Sequence, residues 1–358
     1  MKKTNKLLQL QGLRAIGCFI VVASHFGFIG NGGIGNVIFF VLAGFLFVKP
    51  FLNHDFEFKS LRDLGVYYIK KIIGLYLPYC ILVVTLRLVF GNQTIVTCNW
   101  THVWQSLVLY KCSVHLWFMQ QILILYLIAP AFIYLHMLLK KFIKWRFLNL
   151  GYGVLLIGLA IICYYFLTPD VFHLYRNGLP CKFMPELFLI GMAFGYFFTL
   201  ISHNNIQLSK TTQNIISVIP LIVIVFCFII NFVVKAIWPS SNITIGWNYM
   251  LACSIVIAIM IFLLTLVSDS FLAKILGCKP LATIGDVSFT IYIIHPWFLP
   301  FLTLTPAYVN TLLVFVISFA LAFLFHKYIL FYINQFADKY IYKKLLDEVP
   351  RQSKDVQE

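Results

Sequence analysis

The sequence predicts an all-α, polytopic helix bundle that crosses a membrane about ten times with both termini cytoplasmic. Three observations lead there. Charged residues fill only 11% of the 358 positions and hydrophobic ones 61%, whereas a soluble domain needs about 25% charged residues to cover its surface. Runs such as 154–167 and 215–234 are apolar on every side. Lysine and arginine gather at alternate ends of these runs. Lipid cannot pair exposed backbone groups, so spanning segments are helices or a closed barrel. Barrel strands alternate with period two over about ten residues. These runs do not alternate, which leaves helices.

A span takes roughly 20 mostly apolar residues. Ten segments qualify, near 12–30, 34–52, 66–90, 115–137, 148–168, 183–201, 215–235, 249–268, 281–300 and 308–330. The first follows Lys2, Lys3 and Lys6 in the manner of a signal peptide. Arg14 and His25 inside it, with no small-residue cleavage site after it, mark a retained span instead. Gly32-Gly33 tightens the first hairpin, and Pro169, Pro180, Pro239 and Pro280 punctuate later connections. Residues 1–330 form the transmembrane domain and 331–358 a cytoplasmic tail, whose aromatic and lysine mixture over 331–346 suits the inner membrane surface.

Along this ladder, 22 of the 27 basic residues fall on the side of the N-terminus. Five fall opposite: Arg87, Lys111, Arg176, Lys182 and Lys235. That asymmetry sets the orientation. It also accounts for the net charge of +15 without nucleic acid, since no basic stripe with interleaved aromatics stands outside the spans. The nine cysteines show no CxxC pair and no zinc spacing, so no metal is expected. Most lie in apolar runs, where Cys serves as a small hydrophobe. A pairing of Cys98 with Cys112 across one loop is the lesser reading.

Ionisable residues at membrane depth are costly, and each is a functional candidate by default. Arg14 and His25 are eleven residues apart on the first span. Eleven steps of about 100° return to within about 20°, so both lie on one face roughly 16 Å apart. The plain alternatives are a snorkelling arginine and an interhelical hydrogen bond for the histidine. His115 opens the fourth span from the outer side, and His295 lies fourteen residues into the ninth. Three histidines thus reach the outer half, with Ser288 seven residues before His295 on nearly the same face. Asn36 and Tyr126 complete the interior polar set. His54, His102, His136, His173, His203 and His326 fall in loops or at helix ends. Glu186 and Asp286 start the sixth and ninth spans, where the helix dipole favours a carboxylate. Trp117, Trp247 and Trp297 suit the interfacial belt, although Trp117 is also placed to line a pocket. A buried neutral imidazole takes a proton from a hydroxyl near neutral pH. That suits acyl transfer to a sugar alcohol, with the imidazole as base or as acyl carrier.

Several ordered segments carry a resemblance. They are Leu10-Gln11-Gly12-Leu13-Arg14-Ala15 with Val21-Val22-Ala23-Ser24-His25, then Asn36 to Leu46, Tyr68 to Pro78, His115-Leu116-Trp117-Phe118, Phe188 to Met192, and Gly285 to Ser288 with Tyr292 to Pro296. Together they resemble the acyltransferase 3 family of bacterial membrane proteins, from residue 10 to about 330. Ala43 stands where that family usually has Ser, and Gly74 where it tends to carry a second basic residue after Lys71. The resemblance implies transfer of an acyl group, commonly acetyl, from cytoplasmic acyl-CoA as co-substrate, with no bound cofactor. The acceptor it implies is a cell-envelope polysaccharide or lipid-linked glycan, and the location a bacterial plasma membrane. On that reading His25 is the base or acyl carrier, Arg14 orients the donor with Lys70 and Lys71, and His115 and His295 shape the acceptor site. Asn36, Trp117, Tyr126 and Ser288 line the pocket. Membrane lipid, acyl-CoA and glycan are the partners, with the oligomeric state open. The rival readings are a glycolipid transporter or flippase, whose paired broken spans are not seen in the sequence, a haem-binding electron carrier, and a sensory membrane domain.

Overall fold

The structure, a computed structural model, describes residues 7–29, 32–52, 60–91, 100–110, 116–143, 147–166, 174–176, 179–181, 183–202, 208–237, 250–301 and 306–342. His54, Cys98, Cys112, His115, His173, His203 and Trp247 lie outside the described residues. Helices occupy each segment expected to span. In chain order they are α1 (Leu8–His25), α2 (Gly33–Leu52), α3 (Leu61–Phe90), a short α4 (Trp100–Leu107), α5 (Trp117–Phe142), α6 (Leu148–Phe166), α7 (Pro185–Ser202), α8 (Lys210–Ile237), α9 (Met250–Leu266), a short α10 (Phe271–Leu276), α11 (Lys279–Ile294) and α12 (Ala307–Phe325). By length and composition α2, α3, α5, α6 and the α12 segment can cross a membrane, and α7 and α9 are shorter apolar helices. The protein is therefore an all-α polytopic bundle. A small antiparallel pairing of Leu174–Arg176 with Leu179–Cys181 lies between α6 and α7.

Helices in lipid have little hydrophobic drive toward one another and pack through small residues instead. Two pairs of glycines do this here. A Cβ on Gly44 of α2 would stand 2.1 Å from the Phe188 carbonyl oxygen of α7. A Cβ on Gly191 of α7 would stand 2.1 Å from that of Val41 in return. Likewise a Cβ on Gly12 would meet the Leu276 carbonyl at 1.9 Å, and one on Gly285 the Gln11 carbonyl at 1.9 Å. The first pair locks α2 to α7, and the second clasps α1 against α10 and α11. Five helices are thus joined in three close backbone contacts, α2 with α7 and α1 with both α10 and α11.

α3 begins at a capping box, with Ser60 and Asp63 satisfying each other's backbone N–H. Near its middle the hydrogen bonding loosens to a π turn over Ile72–Tyr76. Pro78 explains the loosening, because its ring displaces the carbonyl of the preceding turn. In α5, Pro130 removes the amide that would bond the Tyr126 carbonyl. The Tyr67 hydroxyl of α3 donates to that carbonyl instead, at 2.9 Å, and Tyr68 donates to Leu127 O at 2.8 Å.

Three expectations change. Trp117 and Trp297 are not belt residues: they are 4% and 1% exposed. Trp117 packs on Phe40 and Trp297 on Phe90, aromatic partners that the interior supplies. Asp286 does not start its helix. α11 begins at Lys279 with Pro280 in the first turn, which leaves Asp286 in mid-helix. His136 and His326 are hydrogen-bonded inside the bundle, His136 to Asn149 and His326 to Thr290, each at 3.0 Å. The helix that starts at Ala307 runs on through π turns to Tyr342, since neither Gly nor Pro interrupts 307–342.

Candidate active site

α1 and α11 both end at a histidine. α1 stops just past His25 because Gly27 turns left-handed, at φ +76°. Phe28 N–H then bonds Ala23 O at 2.9 Å and Gly27 N–H bonds Ser24 O at 3.3 Å, the double closure of a Schellman cap. α11 stops at His295 because Pro296 follows, and the chain tightens to a 3₁₀ turn over His295–Phe298. The rings meet there. Nε2 of His295 and Nδ1 of His25 are 3.2 Å apart, and the ring centroids 5.0 Å.

The protons follow from one backbone group. Nδ1 of His295 lies 3.2 Å from the carbonyl oxygen of Ile291. A carbonyl can only accept, so His295 carries its proton on Nδ1. With both rings neutral, Nε2 of His295 accepts from Nδ1–H of His25, and the basic nitrogen of His25 is Nε2. His295 is fully buried and His25 partly so. Two helix C-termini face the pair, the favourable end for a charge that turns positive.

Ser288 lies two turns below His295 and is buried. Its hydroxyl donates to Gly285 O at 2.8 Å, and its own carbonyl accepts from Cys18 Sγ at 3.5 Å. Ser288 therefore helps to seat α1 on α11. Asn36 comes to the level of the imidazoles from α2. The Phe39 ring is 6.5 Å from Tyr292, and α2 starts where α11 ends. One turn outward on each antiparallel helix sets Asn36 beside His295 in depth. Asn36 is buried, and its Oδ1 has no hydrogen-bond partner among the described residues. Trp117 packs on Phe40 and Phe118, and Phe118 on Tyr292, closing the aromatic wall of this region.

A second cluster forms at the other end of α1. Arg14 donates to Gln11 Oε1 at 3.4 Å. It is within electrostatic range of Lys71, Tyr126 and Asp286. The Lys71 ammonium sits over the Tyr126 ring, 3.6 Å from its centroid, a cation–π contact. Phe47 and Phe188 flank that ring at 6.3 and 5.9 Å. Tyr126, expected with the pocket residues, thus joins the basic cluster. Lys70 is one residue earlier, about 100° around the helix, and is exposed. Holding two cations together in a bundle suits an anion such as a phosphate.

Sequence reasoning passed over Arg87, Gln120 and His136. Arg87 and Gln120 are buried near the C-terminus of α3 and the N-terminus of α5. The sequence signal is a lone arginine inside the apolar run 77–90, a position that equally suits a flank on the side away from the N-terminus. Gln120 donates to the Leu109 carbonyl, where Leu109 takes a left-handed φ of +59° to end α4. His136 sits between Tyr152 and Tyr196, with Asn149 bridging onward to Thr199 at 3.1 Å.

The two clusters lie on one line of α1, basic groups at one end and imidazoles at the other. A family model described as an acyltransferase domain, Acyl_transf_3, matches residues 7–327. No curated protein and no solved structure matches the chain at a significant level. The matched stretch takes in both clusters and both glycine clasps, and the chain belongs to the acyltransferase 3 family as a multi-pass membrane acyltransferase.

Proposed function

We propose that the protein transfers an acyl group, acetyl in the simplest case, from cytoplasmic acyl-CoA to a hydroxyl of a cell-envelope polysaccharide or its lipid-linked precursor. The bacterial plasma membrane is its place. The observation that carries this reading is the hydrogen-bonded pair of His25 and His295, oriented from the Ile291 carbonyl. In this reading Arg14 and Lys71 grip donor phosphates from the cytoplasmic side, with Lys70 guiding the approach. The thioester reaches the imidazoles about 16 Å away along α1, a span that suits an extended donor arm.

The acceptor hydroxyl gives its proton to Nε2 of His25 as its oxygen attacks the thioester carbonyl. The tetrahedral intermediate collapses with cleavage of the C–S bond. The leaving thiolate takes the proton from His25, so an ester and a free thiol are formed and the imidazole is restored. His295 holds His25 in the productive tautomer. Asn36, Trp117 and His115 form the acceptor side, and Ser288 keeps α1 in register.

The test is mass spectrometry of surface glycans from a deletion strain complemented with the wild type or with His25→Ala. The wild type restores a mass of one acyl group and His25→Ala does not, at equal protein level. Full acylation by His25→Ala would overturn the role of His25. An unchanged glycan mass in the deletion strain itself would overturn the acceptor class.

A further inference from the structure

Arg87 is a buried cation that the reaction above does not use. It lies in the last turn of α3 and is 8% exposed. A charge inside a membrane bundle is costly, so such a residue is kept for a purpose. Its neighbours fix its depth. The guanidinium lies over the Trp100 ring, 5.4 Å from the centroid. α4, which carries Trp100, is held against α3 by the hydroxyls of Tyr76 and Tyr79, which donate to Leu107 O and Ser106 O at 2.6 and 3.0 Å. Phe90, three residues beyond Arg87 and on the same face, packs on Trp297 and Phe298 at 5.9 and 5.4 Å. α3 and α11 lie side by side and end together at this contact, so they run in the same direction. One turn back from Phe90 is the depth of His295. Arg87 is thus level with the imidazole pair.

Polar atoms of the same region point to what the cation meets. Trp297 Nε1 and Asn36 Oδ1 are buried and have no hydrogen-bond partner among the described residues. Buried polar groups are nearly always paired. Trp297 Nε1, two residues beyond His295, and Asn36 Oδ1, level with it, are a donor and an acceptor that suit a ligand which both gives and takes hydrogen bonds, as sugar hydroxyls do. The guanidinium adds a flat fork that fits two oxygens of a carboxylate or phosphate.

We propose that Arg87 is a specificity residue for an anionic acceptor, a glycan bearing a carboxylate or phosphate close to the hydroxyl that is acylated. The proposal rests on the acyltransferase reading of the same site. The anion has two sources, a sugar acid or the phosphate of a lipid-linked precursor, and the test separates them.

The experiment uses the full-length protein in lipid vesicles with acetyl-CoA and three oligosaccharides matched except for one group. One is uncharged, one carries a uronic acid, one a phosphate monoester. KM for one charged acceptor should be roughly tenfold to a hundredfold below that of the uncharged one, the worth of a charge-assisted hydrogen bond. Whichever anion is preferred names the source. Arg87→Gln should raise the KM of that acceptor to that of the uncharged one, and Arg87→Lys should keep part of the preference. Equal KM values for all three acceptors with the wild-type protein would overturn the assignment, whether or not any variant folds. So would an Arg87→Gln variant that loses transfer to every acceptor and to water alike, which would make Arg87 part of the thioester chemistry. No acetyl-CoA turnover with any acceptor or with water would bring down the acyltransferase reading, and this assignment with it.

Discussion

The hydroxyl of Tyr67 donates to the backbone carbonyl of Tyr126 at 2.9 Å, the carbonyl that Pro130 leaves without its helical donor. The bond ties α3 to α5 where the Lys71 ammonium rests on the Tyr126 ring. Tyr67→Phe removes the donor and leaves a buried carbonyl short, at a cost of about 1–3 kcal/mol. The thermal midpoint in detergent should fall accordingly. In a Pro130→Ala background the amide of residue 130 can serve the carbonyl, and Tyr67→Phe should cost less. Equal losses in the two backgrounds would show that the hydroxyl does not act through this carbonyl.

The reciprocal contact of Gly44 with Phe188 and Gly191 with Val41 gives a second prediction. Each added Cβ would overlap a backbone oxygen at 2.1 Å, and no rotamer change relieves a backbone clash. Gly44→Ala and Gly191→Ala should each cost at least about 1–3 kcal/mol, as overpacked sites do. Gly158 of α6 is exposed, and a Cβ there meets nothing within 4 Å. Gly158→Ala should hold or raise stability by up to about 1 kcal/mol. Size-exclusion profiles and unfolding midpoints of the three variants decide the matter. Tolerance of alanine at 44 and 191 would mean that α2 and α7 cross farther apart.

What the sequence made legible follows from periodicity. Eleven residues between Arg14 and His25 put both on one face, and that face is the one seated on α11 through Cys18 and Ser288. Depth counting brought His295 to the level of His25. The proton path to Ile291 was not legible, because it depends on how two helices far apart in sequence align. Arg87 read as an outer flank, since nothing in the run 77–90 says that α4 folds back against it. Trp117 and Trp297 read as belt residues because amphipathic rings fit an interface equally well, and only their packing partners decide otherwise. The glycines of the matching segments were visible one by one, but which faces which is a property of the folded pairs.

In the proposed reaction His295 acts through His25, which makes it a positioning residue, and its loss should look different from the loss of His25. His25→Ala removes the base, worth about 10²- to 10⁴-fold in rate. His295→Ala removes one hydrogen bond to a neutral ring, worth about tenfold. His295→Gln offers an amide oxygen to Nδ1–H of His25 and should recover part of that loss. Turnover of acetyl-CoA with a fixed acceptor measures all three. If His295→Ala is as inactive as His25→Ala and Gln gives no rescue, His295 itself takes part in the chemistry.

Lys71 and Lys70 are adjacent in sequence and should differ in donor binding. Lys71 turns inward onto Tyr126 and toward Arg14, while Lys70 is exposed. If Lys71 grips a donor phosphate, Lys71→Gln loses a charge-assisted bond, and KM for acetyl-CoA should rise roughly tenfold to a hundredfold. Lys70→Gln meets the donor in water, where a single charge pair is worth about 1 kcal/mol or less, and should raise KM by no more than about fivefold. A short thioester without the nucleotide separates binding from chemistry. It has no phosphate for Lys71, so the step from wild type to Lys71→Gln should shrink with it. A Lys71→Gln variant impaired to the same degree with the short thioester would place the defect in the bundle around Tyr126 rather than in donor recognition.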